Sequence, residues 1–304
     1  MEKIKSYFTD GEWYIGVGKH SDAVIERKNK IEVTLLKNTW RYWCADPFLF
    51  EYNQTTYVFM EVYDKIKQRG FIGYRIIDEN GKASKICSCL NIDKHMSYPF
   101  IYECDGNIYM MPECYQNNKL VIYRAEKFPN EWVEDQVILD DVKVCDSNIV
   151  EMEGKQYLAT LKIHGMPYQY DEMSLYCFGK DGWIPCVNNP VVVGAEKARN
   201  GGAYFKYKEQ LVRPAQNCVD SYGENLSFQK VKEISEEEYC EEEISKLYIG
   251  DVVVRNSKKR FDGIHTFNTN GKYDVIDLRR KNAIQTAHFV GLLIGKFKRI
   301  LRRE

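Results

Sequence analysis

The chain has 304 residues, 44% of them hydrophobic, and a formal net charge of −1. This composition provides enough apolar and aromatic residues for a large core and excludes a disordered or low-complexity chain. The charge is uneven: residues 279–304 carry eight Lys or Arg and one Glu, which leaves −8 on the remainder. Because that remainder is acidic, we expect no nucleic acid among the partners.

The first residues of the chain contain no apolar segment long enough for a signal peptide, and no run approaches the ~20 apolar residues of a membrane span. We therefore expect a cytoplasmic protein whose ten cysteines are thiols. The closest cysteines, Cys87 and Cys89, have no second pair at ligand spacing. The sequence predicts no metal centre and no cofactor.

One pattern recurs five times along the chain: an apolar strand runs to a polar turn, and a second strand returns to a polar residue. The copies begin at residues 46, 98, 146, 202 and 263, a spacing typical of propeller blades. Units of this size cannot bury their own faces, so they stack radially. The sequence predicts an all-β, five-bladed β-propeller over residues 1–280.

Two segments outside the repeats also receive assignments. Trp13–Val17 reads as a strand that completes the last blade and closes the ring. The stretch Glu233–Glu243 contains seven Glu in eleven positions. We expect it to be a solvated helix or loop between blades four and five.

In residues 281–304 the apolar residues recur every three or four positions, unlike the alternation of the strands. This spacing predicts a basic amphipathic helix at the C-terminus. The residues of its apolar face are Ala283, Thr286, Ala287, Val290, Leu293, Ile294, Phe297, Ile300 and Leu301. Such a helix binds an anionic membrane surface or a partner groove, here through residues 283–303. The alternative is a helix that packs on the rim of the propeller with its charges in water.

Propeller geometry predicts which polar side chains meet. First strands start at one mouth of the central channel, and the antiparallel second strands return to it. The starts are Asp46, Tyr98, Asp146, Arg199 and His265. The returns are Glu61, Glu113, His164, Arg213 and Gln216. We expect these side chains to share one pocket.

Paired carboxylates across a pocket are typical of glycosidic-bond chemistry, which needs an acid and a base or nucleophile. Asp46 is the candidate base or nucleophile, and Glu113, beside an apolar wall, is the candidate acid. Asp146 is a third candidate catalytic residue, which, like Glu61, would orient the other two. Taken singly, each carboxylate could equally be a turn cap or an ion-pair partner.

Candidate substrate-binding residues surround these carboxylates: Glu61, Tyr98, Arg199, Arg213, Gln216 and His265. Arg199 and Arg213 can clamp a phosphate or carboxylate, which would make the sugar or glycan ligand anionic. Alternatively, the two arginines only balance the buried carboxylates. His265 could equally be a structural histidine with satisfied hydrogen bonds.

Several motifs resemble known families. Trp43-Cys-Ala-Asp46-Pro-Phe resembles the motif that opens five-bladed glycoside hydrolases of families 43, 32 and 68. Tyr109-Met-Met-Pro-Glu113, Ala198-Arg-Asn-Gly-Gly202 and Arg213-Pro-Ala-Gln216 resemble the N-terminal domain of glucosamine inositolphosphorylceramide transferases, a likeness that covers roughly residues 40–270.

The resemblance implies a five-bladed propeller that acts on or binds glycans, with Asp46 matching the blade-one base or nucleophile of the hydrolases. The match is incomplete, because family 43 enzymes place an Asp at the start of blade two, where this chain has Tyr98, and place their acid in blade three. In the transferases, the transfer chemistry is usually assigned to a separate C-terminal domain.

Three functional hypotheses follow. The first is a cytoplasmic enzyme on the inner face of the membrane that makes or breaks a glycosidic bond during surface polysaccharide or glycolipid synthesis, with a lipid-linked substrate. The second is a binding module that positions a sugar or sugar phosphate for a partner enzyme. The third is a purely structural scaffold.

Overall fold

The computed structural model describes residues 9–26, 30–165, 169–284, 287 and 290–294. Most of these residues lie in strands, which form five sheets of four or five strands each. The sheets are the five blades of a β-propeller, and the predicted all-β fold is confirmed.

Blades one and two are antiparallel sheets whose strands neighbour each other in chain order. The strands of blade one are Tyr42–Tyr52, Thr55–Asp64, Arg69–Ile77 and Cys87–Leu90. The strands of blade two are Ser97–Cys104, Asn107–Glu113, Lys119–Lys127 and Glu131–Asp140. The hairpin turn Asp105-Gly106 has positive φ at both residues, as two-residue hairpins require.

Blades three and four follow the same plan with additional short strands. The strands of blade three are Val144–Met152, Lys155–His164, Gln169–Gly179, Gly182–Pro185 and Val192–Val193. The strands of blade four are Arg199–Asn200, Phe205–Tyr207, Gln210–Asn217, Asn225–Ile234 and Tyr239–Leu247. The inner strand of blade four breaks at Gly202, where a β-carbon would lie 1.9 Å from the Phe267 carbonyl oxygen of blade five.

The acidic stretch Glu233–Glu243 belongs to blade four, and the prediction of a solvated helix or loop is wrong. It forms the hairpin between strands Asn225–Ile234 and Tyr239–Leu247. Glu241 points into the blade and binds Arg213, at 2.7 Å from Oε1 to Nη2. In a stretch with so many Glu, the alternation of buried and exposed positions that marks a strand is not visible in the sequence. The buried Glu241 can be recognised only through its distant partner Arg213.

The N-terminal strand Thr9–Lys19 closes the ring by pairing antiparallel with Tyr273–Ile284 of blade five. The predicted role of Trp13–Val17 is confirmed. Ile31–Leu35 adds to the outer side of Thr9–Lys19 and pairs in parallel with Val252–Val254. With the inner strand Phe267–Thr269, blade five therefore has five strands, two of them from the start of the chain.

The inner strands of blades one, two and three share a bulge at equivalent positions. Asp46, Tyr98 and Asp146 have φ of 48°, 45° and 49°, and strand register shifts at each of them. A side chain in this left-handed region costs on the order of 1–3 kcal/mol and persists only where its surroundings enforce it. The bulges redirect these three side chains at the mouth of the channel.

The core lies between neighbouring blades. Its largest cluster joins Phe59 of blade one, Met110 of blade two and Leu158 of blade three, all 0% exposed. Separate clusters fill the junctions between blades three and four, four and five, and five and one. Each blade thus buries its faces against its two neighbours.

The C-terminal segment is helical at Ala287 and at residues 290–294. Gly291 lies against the turn after the second strand of blade one, where an added β-carbon would be 2.5 Å from the Ile66 carbonyl oxygen. The remaining residues of the predicted amphipathic tail lie outside the described part. No helix in the described ranges has the length and apolar character needed to cross a bilayer.

The Arg213–Glu241 pair is fully buried, so removing one partner should be strongly destabilising. We expect Arg213→Met to lower the free energy of unfolding by about 3–5 kcal/mol, because it leaves Glu241 buried without its cation. Urea denaturation followed by tryptophan fluorescence measures this change.

The control is Lys232→Met, which breaks an exposed pair with Glu242 on the same blade. It should change the free energy of unfolding by less than about 1 kcal/mol. Adding Glu241→Gln to Arg213→Met should recover part of the loss. Equal effects of the two single variants would contradict a buried ion pair.

Candidate active site

Asp46 lies in the bulge of blade one and is 5% exposed. Its Oδ2 accepts a hydrogen bond of 3.1 Å from the Tyr98 backbone nitrogen, and its Oδ1 accepts one of 2.9 Å from Thr266 Oγ1. The Nε2 atom of His265 lies 3.5 Å from Oδ1. Burial raises the pKa of Asp46 to about 6, although the neighbouring His265 opposes the shift.

Asp277 anchors this half of the site from the second strand of blade five. Its carboxylate accepts hydrogen bonds from the backbone nitrogens of Asp46, His265 and Thr266 at 2.9–3.1 Å. His265 Nδ1 lies 2.5 Å from Asp277 Oδ2, and the ring stacks on Trp13 at 3.9 Å between centroids. Burial opposes protonation of His265, but Asp277 and Asp46 outweigh it and raise the pKa of the ring.

Asp146 anchors the opposite half from the bulge of blade three. Arg199 Nε and Gln216 Nε2 both donate to its Oδ2, the latter at 3.0 Å. Glu113, half-buried at the end of the second strand of blade two, faces this carboxylate. Burial and the charge of Asp146 raise the pKa of Glu113 well above its ordinary value, despite the nearby Arg199.

Glu61 is the fifth acidic group, 5% exposed near the end of the second strand of blade one. Its Oε1 has no hydrogen-bond partner among the described residues and lies 3.5 Å from His95 Nε2. Because the Gly70 amide donates to His95 Nδ1, a neutral His95 carries its proton on Nε2, facing Glu61. Burial, followed by the charges of Asp46 and Glu113, raises the pKa of Glu61 well above its ordinary value.

Tyr222 connects the two halves of the mouth. The guanidinium of Arg199 lies 4.9 Å from the centroid of the Tyr222 ring, and that ring meets the His265 ring edge-on at 5.1 Å. Tyr222 is 43% exposed, so this ring lines the opening. The contacts bring seven predicted residues around one mouth: Asp46, Glu61, Glu113, Asp146, Arg199, Gln216 and His265.

Three other residues predicted at the mouth bind elsewhere, one of them His164, whose Nε2 lies 3.1 Å from Asp171 Oδ1. Tyr98 is 0% exposed, and its hydroxyl accepts hydrogen bonds from Asn148 Nδ2 at 3.1 Å and Gly202 N at 2.9 Å. Arg213 is enclosed within blade four, bound to Glu241, Asn200 and the Lys197 carbonyl. Tyr98 therefore supports the mouth from below, and Arg213 does not reach it.

Three residues at the mouth were missed by the sequence reasoning: Trp13, His95 and Asp277. The sequence did contain a signal for Asp277. It ends the second strand of the fifth repeat, as Glu61 ends the second strand of the first, and such strand ends are predicted to lie at the mouth. Trp13 belongs to the closing strand, and its contact with His265 depends on the long-range pairing of that strand.

Two groups of side chains hold potential metal ligands within 4.8 Å of one another: Asp46, His265 and Asp277, and Glu113, Cys145 and Asp146. In the first group His265 already lies between the carboxylates, and in the second Arg199 supplies the compensating charge. A cation in either position would compete with these groups. The absence of a metal centre stays a prediction.

The raised carboxyl pKa values predict how stability depends on pH. Since folding raises the pKa of Asp46, Glu61 and Glu113, the folded state binds protons more tightly, and stability is lost as pH rises through the folded values. The difference between the ordinary pKa of Asp46 and about 6 is equivalent to roughly 3 kcal/mol. We expect the melting temperature to fall between about pH 5 and about pH 8.

Glu61→Gln removes one of these charges at nearly constant shape, so it should raise the melting temperature at about pH 8 and leave it nearly unchanged at about pH 5. Differential scanning calorimetry across this range is the measurement. Glu151→Gln, an exposed site on blade three, is the control and should follow the wild-type curve. If the melting temperatures of Glu61→Gln and the wild type differed by the same amount at every pH, the raised pKa of Glu61 would be contradicted.

Comparison with known proteins extends this description. The family model described as glucosamine inositolphosphorylceramide transferase 1, N-terminal, matches residues 33–286. Glucosamine inositolphosphorylceramide transferase 1 of Arabidopsis thaliana is 32% identical over 257 residues, which are 83% of this chain and 32% of that protein. The protein of the same name from Oryza sativa subsp. indica is 32% identical over 203 residues, which are 65% of this chain and 27% of that protein. The chain therefore spans about a third of the length of these relatives.

Solved structures share the fold. Zg3597, a family 117 glycoside hydrolase of Zobellia galactanivorans, superposes with a TM-score of 0.53 at 13% identity over 90% of both chains. CoXyl43, a family 43 β-xylosidase/α-arabinofuranosidase from a compost metagenome, gives 0.53 at 10% identity, over 82% of this chain and 98% of that one. These likenesses establish the architecture, and the sequence match establishes the family: the chain belongs to the glucosamine inositolphosphorylceramide transferase 1 N-terminal family.

Proposed function

We propose that this chain is a carbohydrate-active enzyme that transfers or hydrolyses a glycosyl group during glycolipid or cell-surface polysaccharide synthesis. The observation that carries the proposal is a set of buried or half-buried carboxyl groups at one mouth with raised pKa values. Among them, Asp46 has a pKa of about 6, whereas the pKa of Glu113 lies well above its ordinary value. A pair of acids that differ in this way can hold one proton and one negative charge together near neutral pH.

The roles follow from exposure and from the neighbours of each group. Glu113 is the more exposed of the two, and we assign to it the proton that passes to the leaving glycosidic oxygen. Asp46 is held by Tyr98, Thr266 and His265 and acts as base or nucleophile at the anomeric carbon. Asp146, held by Arg199 and Gln216, supplies the charge that keeps Glu113 protonated.

The charge of the mouth favours a neutral or cationic sugar over an anionic one. Among the described residues, five carboxyl groups surround it, those of Asp46, Glu61, Glu113, Asp146 and Asp277, and the cationic groups in contact with them are Arg199 and His265. Both arginines predicted to clamp an anion are bound to carboxylates, Arg199 to Asp146 and Arg213 to Glu241. The ammonium of an amino sugar suits such a site, in keeping with the glucosamine in the names of the relatives.

The second candidate function is a binding module that presents a sugar to another domain or protein. Two observations favour it. The equivalent of the second hydrolase carboxylate is Tyr98, whose phenol is buried and hydrogen-bonded, and the chain spans about a third of its relatives. In that case Tyr222, 43% exposed at the mouth, stacks on the sugar and the carboxyl groups only hold it.

The catalytic proposal predicts that Glu113→Gln lowers turnover by about 10²–10⁴-fold, the usual contribution of a general acid, with little change in sugar affinity. The assay supplies activated amino sugars with inositolphosphorylceramide as acceptor, and calorimetry measures binding in parallel. Asp46→Asn should lose turnover as well. The control is Glu103→Gln on the same blade.

Undiminished turnover in Glu113→Gln would overturn the role of this acid. If the wild-type chain binds the sugar through Tyr222 but turns over none of the donors, the binding module replaces the enzyme. These outcomes differ, because Tyr222→Ala lowers affinity under either function and Glu113→Gln lowers turnover only under the first.

We also propose that the mouth faces a membrane and that the protein is peripheral on its cytoplasmic side. The helix at 290–294 lies beside the mouth on blade one and exposes Val290, Leu293 and Ile294 by 36–42%. On the mouth side of blade five, a surface pocket is lined by Lys258, Lys259, Arg260, Arg280 and Lys281 with one acidic residue, Asp262. Apolar side chains and cations on one face are typical of binding to anionic lipid.

Leu293→Glu should therefore reduce binding to vesicles of phosphatidylcholine with phosphatidylserine by about tenfold, because it places a charge where an apolar side chain enters the lipid. Vesicle flotation measures the bound fraction. Val187→Glu changes an exposed valine on blade three in the same way and is the control. Equal binding by both variants, or binding without phosphatidylserine, would contradict this orientation.

A further inference from the structure

A second cavity lies at the other end of the propeller from the mouth. It has a volume of about 1270 Å³ and is lined by segments 17–21, 30–32, 34–37 and 79–83 together with Arg75, Arg255 and Tyr273. Along the closing strand pair, Trp13 meets Arg279 near the mouth, whereas Lys19 meets Tyr273 at the cavity. These positions are six residues apart, or about 20 Å along a strand. We call this space the closure cavity, because the strands that close the ring form one wall.

Arg75 is the residue that suggests a ligand. Its side chain lines the closure cavity although the residue is only 6% exposed. One nitrogen, Nη2, donates to the Lys37 carbonyl oxygen at 2.5 Å, and Nε has no partner among the described residues. No carboxylate in the described ranges pairs with Arg75. A buried cation without a counter-charge is unusual, since burial without a partner is strongly unfavourable.

The cavity as a whole is cationic. Six Lys or Arg line it against two Glu, a balance of +4. One glutamate, Glu32, is already paired with Arg255. Among the described residues, Lys19, Lys30, Lys37 and Lys82 have no ion-pair partner, so their charges add to that of Arg75.

The shape and lining define the chemistry of the ligand. The Arg75 guanidinium carries donors that the Lys37 carbonyl does not use, which suit a phosphate oxygen, and the flexible lysines around the rim add positive charge. Val17, Leu35, Leu36 and Tyr273 supply apolar and aromatic surface beside these cations. The volume exceeds the roughly 300–1,000 Å³ of ordinary ligand sites, so it has room for more than a phosphate group.

We propose that the closure cavity binds a soluble phosphate ester or diphosphate, with Arg75 as the residue that binds the phosphate group. The proposal is independent of the chemistry at the mouth, because it involves different residues at the other end of the strands. It favours a soluble ligand over a lipid, since the exposed helix and the basic pocket of blade five lie at the mouth end. A bound anion would also join blade one to the closing strand, so it should stabilise the ring.

The test uses the whole chain and pyrophosphate as the probe. We expect the melting temperature to rise with pyrophosphate concentration above the value in chloride at matched ionic strength, and calorimetry to give a saturable isotherm. Arg75→Gln should weaken binding by about ten- to hundredfold, as expected for a lost charge-assisted hydrogen bond. Lys82→Gln, at an exposed position that cannot disturb the core, should weaken it by about two- to fivefold.

The matched control is Lys119→Gln, which removes one positive charge on blade two, where the ammonium pairs with Asp140. It should bind pyrophosphate like the wild type. The proposal fails if Arg75→Gln and Lys82→Gln both keep wild-type affinity, if chloride gives the same stabilisation, or if only phosphatidic acid vesicles bind in an Arg75-dependent way. If Arg75→Gln fails to fold, Lys82→Gln still tests the proposal, because it changes no buried residue.

Discussion

Three backbone amides converge on the Asp277 carboxylate, and the geometry of the mouth depends on that convergence. Two of the amides belong to blade five and the third is that of Asp46 in blade one. Asp277 itself lies on the strand that pairs with the N-terminal strand, so a single side chain joins ring closure to the first blade. A fully buried carboxylate requires such donors, because leaving it unpaired would cost several kcal/mol. The position of Asp46 is therefore a consequence of how the ring closes.

The convergence of several blades on one mouth also explains why the pKa values of its carboxyl groups are raised. The bulged first strands and the returning second strands bring acidic side chains toward one mouth from several blades, while the cations near them are already bound to carboxylates. Negative charge in excess of positive charge, together with burial, makes protonation of the remaining acids favourable. The pKa values of Glu61 and Glu113 therefore lie well above the ordinary value, at a cost in stability as pH rises. Such an excess is typical of sites selected for chemistry rather than for stability.

Repeats in the sequence were sufficient to predict the blades, because each repeat carries its own strands and turns. They also predicted which ends of the strands share a mouth, since antiparallel geometry fixes that arrangement. Contacts between distant segments could not be predicted in this way. Glu241 looks like any surface glutamate until Arg213 is placed beside it, and the stacking of Trp13 on His265 exists only once the chain ends meet. The roles of the mouth residues remain predictions, because proximity alone does not assign chemistry.

The side chain of Tyr98 has a further consequence for what this molecule can handle. It reaches from blade two to Asn148 of blade three and Gly202 of blade four, and its own amide binds Asp46 of blade one. Tyr98 therefore blocks the centre of the ring at this depth, so the mouth does not continue through the channel. A long polymer cannot thread through. A molecule that enters at the mouth must therefore leave by the same side.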